Sequence, residues 1–189
     1  MAKAKMTYNV QPLRTEKDII LFQHELSKTE FGKRNEFLFL FGINNGLRMG
    51  DIVKLKVGDV RYSDQPYIIE EKTRKRKPLF LTNIRYEINE YIKDMKDEDW
   101  LFPSRQQGGH IKRNTVYKIL TDAAEKLDRH DIGTHTLRKT FGYHHYQEFK
   151  DIAILMYIFN HSSQEITKRY IGITDDEVAT SLKSFRLGA

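Results

Sequence analysis

Cysteine is absent from the 189 residues, which excludes disulfide staples, thiolate zinc sites and cysteine nucleophiles together. Proline occurs four times, and no Pro/Gly/Ser-rich linker, internal repeat or low-complexity tract divides the chain. One domain, large enough to bury a core, is expected. The longest apolar runs, FLFLFGI at 37–43 and IAILMYIF at 152–159, fall far short of the roughly 20 residues a membrane helix needs; they read as core helices. The lysines of MAKAKMTYNV precede no apolar stretch, so no secretory leader is read there. Charge, by contrast, is abundant: 32 Lys and Arg against 26 Asp and Glu, a net +6. Excess cation favours a polyanionic partner through counterion release, although a soluble protein can simply be basic. The distribution says more, because Lys72, Arg74, Lys75, Arg76 and Lys77 lie within six positions.

Hydrophobic spacing predicts a mainly α chain with a small three-stranded antiparallel sheet, an α+β class. Thr15 caps a first helix with Ile19, Phe22 and Leu26 on one face. A second, buried helix fits 33–45 and ends at Asn44, Asn45 and Gly46, and Asp51 to Leu55 reads as a short helical piece. Three β-like runs follow, VGDVRY, PYIIEEK and KPLFLT, with the basic cluster at the tip between the second and third. Such a tip is either a solvated turn or a loop dipping toward phosphates. Helical spacing returns at Ile84, Ile88, Tyr91 and Ile92, and again over 112–127 with Val116, Ile119, Leu120 and Ala123 inward. Lys112, Arg113, Asn114, Thr115 and Lys118 suit a helix contacting DNA about as well as a plain surface helix. Further helices fit 135–147, 151–159, 162–169 and 174–185. The last begins at Thr174 with an acidic turn and lines Val178, Leu182 and Phe185 along one side.

The chemistry-bearing residues cluster in the last third, with one outlier. In GLRMGD, Arg48 is either a structural ion-pair partner of Asp51 or a guanidinium forked onto phosphate oxygens and oriented by Asp51. His135 and Arg138, three apart, share one helix face. His135, His144 and His145 raise the question of zinc, but no cysteine or well-spaced carboxylate completes a site, and no metal or other cofactor is expected. His161 follows the Phe159-Asn160 break and precedes the cap-like Ser162-Ser163. Tyr170 is one of ten tyrosines. Its setting of Lys168, Arg169 and Gly172 suits an exposed hydroxyl on a mobile turn better than a core ring.

Arg48 in GLRMGD, a hairpin lysine, His135 and Arg138 in HTLR, His161 in NHSS and Tyr170 in KRY occur in an order and spacing that resemble the catalytic domain of the tyrosine recombinases, the phage integrase family. The resemblance covers nearly the whole chain. It implies a site-specific recombinase that cleaves and rejoins DNA without metal or cofactor through a 3′-phosphotyrosyl intermediate. Tyr170 would be the nucleophile and His135 the general base. Arg48, Arg138 and His161 would stabilise charge on the phosphorane, and Lys72 would be the general acid, ahead of Lys75 across the same turn. Arg74, Lys75, Arg76, Lys77, Lys112, Arg113, Asn114, Lys139, Lys168 and Arg169 are the candidate DNA contacts, and Asp51 is a supporting residue.

The partner would be double-stranded DNA. The chain would form a homo-oligomer on it, tetrameric at synapsis, whether or not it is a monomer in solution. No membrane is involved, and a cytoplasmic location in a bacterial, phage or mobile-element setting is expected. Residues 1–14 would be an extension and 15–189 the catalytic domain, with no room for the N-terminal clamp domain or the arm-binding domain of the family. Two alternatives stay open: a type IB topoisomerase-like nicking and closing enzyme, and a DNA-binding regulator that no longer cuts.

Overall fold

The computed structural model describes residues 10–188 except 107, 184 and 187; the first nine residues of the expected extension lie outside the described residues. Ten α-helices occur among the described residues: α1 (Glu16–Ser27), α2 (Gly32–Asn45), α3 (Met49–Ile52), α4 (Val57–Arg61), α5 (Arg85–Ile92), α6 (Arg113–Glu125), α7 (Thr134–Phe149), α8 (Ile152–Phe159), α9 (Gln164–Ile171) and α10 (Ile173–Lys183). The sheet has two strands, β1 (Tyr67–Ile69) antiparallel to β2 (Arg76–Pro78), with Ile68 opposite Lys77. No described helix is long and apolar enough to cross a membrane.

The sheet is smaller than expected, because VGDVRY forms α4 in place of a first strand. Val57 and Val60, both fully buried, stand at i and i+3. That spacing puts them on one helical face, packed beside α5, whereas a strand would point them to opposite sides. Asp59 fixes the choice by accepting the Lys56 amide at 2.8 Å.

Two features of the packing position the site. The Thr15 hydroxyl caps α1 as expected, accepting the Asp18 amide at 3.0 Å, and α1 packs on α2, which packs on α7. At its far end α2 stops at Gly46, whose φ of +65° is the left-handed conformation glycine adopts without strain; that turn delivers Arg48. Around α7, the last three helices form a second, smaller core of Tyr146, Leu155, Phe159, Ile171 and Ile173. Gly142 makes this possible, since a Cβ there would stand 2.6 Å from Ile171 and 2.7 Å from the Phe159 ring. The Phe159 side chain is fully buried, which stabilises the arrangement by about 2–3 kcal/mol. Residues 10–14 lie against α7: Leu13 is buried and its amide donates to Thr140 Oγ1 at 2.9 Å.

Candidate active site

Arg138 is the anchor. It projects from α7, is 3% exposed, and donates to Gly46 O at 2.8 Å and Phe159 O at 2.9 Å. It therefore ties the C-terminal ends of α2 and α8, satisfying carbonyls that helix termini leave free, and its guanidinium lies 4.5 Å from the Phe159 ring centroid. Burial lowers its pKa, yet a guanidinium keeps its charge in proteins. His135, one turn earlier on the same face, meets Tyr170: His135 Nδ1 and the tyrosine hydroxyl are 3.2 Å apart.

Tyr170 belongs to the last turn of α9 and not to a mobile turn. Its half-buried ring packs edge-on against Phe159 at 5.5 Å, His161 at 5.2 Å and His135 at 6.3 Å between centroids. The amphipathic pattern of α9, with Thr167 and Ile171 inward, carries the ring into this aromatic box. Ser163 caps the helix by accepting the Ile166 amide at 3.2 Å, and Gly172 ends it at φ +78°. His161 follows the left-handed Asn160, and its Nδ1 is 3.1 Å from Thr167 Oγ1.

The electrostatics follow from burial beneath a cationic surface. Burial, then Arg138, Lys139, Arg113 and Arg48, hold the His135 pKa below the ordinary imidazole value. Burial, Arg138 and Arg48 do the same to His161. Both rings are thus neutral near pH 7, and a neutral imidazole can accept a proton. Burial raises the Tyr170 pKa although Arg138 and Arg48 pull the other way, so the phenol needs a base to become a nucleophile.

Arg48, Asp51, Lys72, Arg113, His135 and Arg138 line one cleft of about 370 Å³. Lys75 and His161 line a neighbouring one. Lys72 is exposed on the turn between β1 and β2 and makes no hydrogen bond or ion pair among the described residues. The Asp51 carboxylate makes no hydrogen bond to the Arg48 guanidinium among the described residues; its Oδ1 accepts the Glu71 amide at 2.8 Å, and its buried Oδ2 has no partner among the described residues. The partner of Arg48 is Glu70, with Nη1 to Oε1 at 2.7 Å.

Sequence reasoning missed Glu70. It is 2% exposed, whereas Glu71 beside it is exposed and pairs with Lys54 at 2.8 Å. Two adjacent glutamates before a basic run carry no signal that separates them, apart from the alternation of a strand that sends neighbours to opposite faces.

The candidate DNA contacts divide in three. Arg74, Lys75, Arg76, Lys112, Arg113, Asn114 and Arg169 are exposed, and Arg76 stacks on the Tyr67 ring at 4.1 Å. Two others turn inward. Lys77 donates to Ile158 O and approaches Glu70 Oε1 at 3.9 Å. Lys139, 9% exposed, donates to Val10 O at 2.6 Å and lies 5.3 Å from the Tyr170 ring centroid. Both follow helix and strand facing that charge alone does not reveal. Lys168 is half-exposed and paired with Glu177 at 3.0 Å. His144 meets Leu13 O at 2.9 Å and His145 packs by Phe141, so neither joins His135.

Residues 14–177 match the phage integrase family. The probable integrase/recombinase YoeC of Bacillus subtilis (strain 168) is 49% identical over 178 residues, covering 93% of this chain and 97% of that protein. The tyrosine recombinase XerD of Caulobacter vibrioides is 25% identical over 146 residues, 71% of this chain and 48% of that one. Among solved structures, the XerH site-specific recombinase bound to palindromic difH substrate superposes with a TM-score of 0.69 at 18% identity, covering 97% of this chain and 54% of that one. The chain thus spans nearly all of YoeC and about half the length of the two Xer recombinases. With the family matched from residue 14 to residue 177 and the tyrosine, histidines and arginines of its motifs gathered at one site, the chain belongs to the phage integrase family of tyrosine recombinases.

Proposed function

We propose that the chain cleaves and rejoins double-stranded DNA at a specific site through Tyr170. The tyrosine oxygen attacks the scissile phosphorus, forming the P–O(tyrosine) bond as the P–O5′ bond breaks. The products are a 3′-phosphotyrosyl link and a free 5′-hydroxyl. His135 Nδ1 takes the phenolic proton. Arg48, Arg138 and His161 hold the charge that develops on the phosphorane oxygens, as preorganised donors in a partly dry site. Lys72 gives the departing O5′ its proton, a contribution typically of about 10²–10⁴ in rate. Attack by a 5′-hydroxyl from another strand reverses each step, so the phosphotyrosyl bond conserves the energy of rejoining.

The 3.2 Å approach of the Tyr170 hydroxyl to His135 carries this reading. Lys72 is preferred to Lys75 as acid because it shares the cleft of Arg48, His135 and Arg138. The exposed cations of the β1–β2 turn and of α6 would track the DNA backbone, as expected of a partner bound through its phosphates. Val178, Leu182 and Phe185, 53%, 59% and 63% exposed, support association of protomers on DNA through the C-terminal stripe. The catalytic unit in this reading is 15–189 with residues 10–14 packed onto it, acting where the cell keeps its DNA.

The test is denaturing capture. A randomised duplex pool with a nick near the cleavage point should yield a detergent-resistant protein–DNA adduct, lost in Tyr170→Phe. Strand exchange between two captured sites is expected. Duplexes that bind without ever forming an adduct would contradict the reading, and relaxation of any supercoiled plasmid without exchange would replace it with nicking and closing.

A further inference from the structure

We propose that Glu70 is a positioning residue for strand transfer, one carboxylate that holds both Arg48 and the turn carrying Lys72. The inference rests on the reading of the site as a recombinase centre. Glu70 follows the last residue of β1 and is almost fully buried. Its two oxygens do different work: Oε1 accepts from Arg48 Nη1 at 2.7 Å, and Oε2 accepts from the Thr73 hydroxyl at 2.7 Å. Thr73 is the immediate neighbour of Lys72. The backbone of Glu70 closes the same turn, its amide donating to Lys75 O at 3.0 Å and its carbonyl accepting the Arg74 amide at 2.9 Å.

The carboxylate sits behind the cleft and not in it. Arg48 and Lys72 line the cleft, while Glu70 lines the neighbouring one with Lys77. It therefore does not compete with a phosphate for the open side of Arg48. A buried carboxylate is costly unless charge and hydrogen bonds compensate it, and Arg48, Lys77 and Thr73 supply these. Burial alone would raise its pKa, but Thr73, Arg48, Lys77 and Arg138 outweigh it and hold the group ionised. The consequence is mechanical: the guanidinium that receives the phosphate and the turn bearing the ammonium that protonates the leaving group are registered to one another through the Glu70 carboxylate, beside the Asp51–Glu71 backbone contact. Arg48 and Glu70 are 22 positions apart, and Lys72 is otherwise on an exposed turn.

The experiment uses the duplexes captured by wild-type protein, with the scissile phosphate either normal or replaced by a 5′-bridging phosphorothiolate, whose thiolate leaves without a proton. Glu70→Ala is expected to slow adduct formation at saturating protein by about 10²-fold, the scale of a misplacement near 1 Å. Its affinity for the duplex should change less than about 3-fold, since the exposed phosphate-tracking cations are untouched. Part of the loss, the share due to Lys72, should be recovered on the phosphorothiolate. Glu70→Gln keeps the shape, its carbonyl oxygen still accepting from Arg48 and its amide NH2 donating to the Thr73 hydroxyl oxygen in a reversed bond, and should retain most of the rate. Thr73→Val, a change on the turn that leaves the buried pair intact, keeps the inference testable if Glu70→Ala folds poorly; it should show a smaller defect that the phosphorothiolate recovers fully.

Wild-type cleavage rates in Glu70→Ala, or a defect in Thr73→Val that the phosphorothiolate leaves unchanged, would overturn the inference while the recombinase reading stands. So would a Glu70→Ala loss confined to affinity or to folded fraction. Absence of any wild-type adduct would instead overturn the recombinase reading, and the role of Glu70 with it.

Discussion

Arg138 and Lys72 face the same cleft from opposite kinds of structure. Arg138 is 3% exposed and bonded to the ends of two helices; Lys72 stands on an exposed turn, with the Glu70–Thr73 contact at its base. The difference matches the work proposed for each. A group that must meet charge wherever it develops is most effective when its position is fixed before reaction. A group that delivers a proton to a departing oxygen has to move with it, so a side chain on a turn, held at its base, suits the task. The half of the site built on α7 and α9 is preorganised, and the half built on the β1–β2 turn is adjustable.

The sharpest way to break this comparison is to exchange guanidinium for ammonium at the fixed position. Arg138→Lys should lower adduct formation by about 10³-fold, the upper range for losing an aligned donor. It should also lower Tm, because one of the Gly46 and Phe159 carbonyls loses its donor at a cost of about 1–3 kcal/mol. At the adjustable position, Lys72→Ala should cost about 10²-fold on a normal phosphate. It should leave Tm unchanged and approach the wild-type rate on a 5′-phosphorothiolate. Equal Tm losses for the two variants would remove the distinction between the two halves.

Smaller effects sharpen it further. With neutral His135 as the proposed base, single-turnover cleavage should fall as pH drops through its pKa. Burial and the cations around it hold that pKa down, so the acid limb should lie below the usual imidazole value of about 6.5. Arg113→Ala removes one of those cations, raises the imidazole pKa and should move the limb to higher pH. The same change should reduce the salt slope of DNA binding by about 1. Lys139→Met, at a buried lysine bonded to Val10 O, should leave that slope unchanged and destabilise the fold by about 1–2 kcal/mol.

The sequence made the helical framework and the ordered set of motif residues that the fold gathers legible, because both are local or motif-borne. Thr15, Gly46 and Ser163 mark ends that the structure keeps. Facing was less legible. Val57 and Val60 fit a helix or a strand until they meet α5, and Lys77 and Lys139 look like DNA contacts until the rest of the fold turns them inward. Tyr170, with a basic run before it, reads as exposed; only the meeting of α7, α8 and α9 makes it a ring among Phe159, His135 and His161. Glu70 depends wholly on a contact with Arg48 across the fold, and a string of charges does not announce that contact.

The most direct measurement is to digest the captured protein–DNA adduct and map by mass spectrometry which residue carries the nucleotide. A 3′-linked nucleotide on the peptide containing Tyr170, at its phenolic oxygen, is the predicted result. Attachment to any other residue, such as Tyr143 or Ser163, would contradict the account.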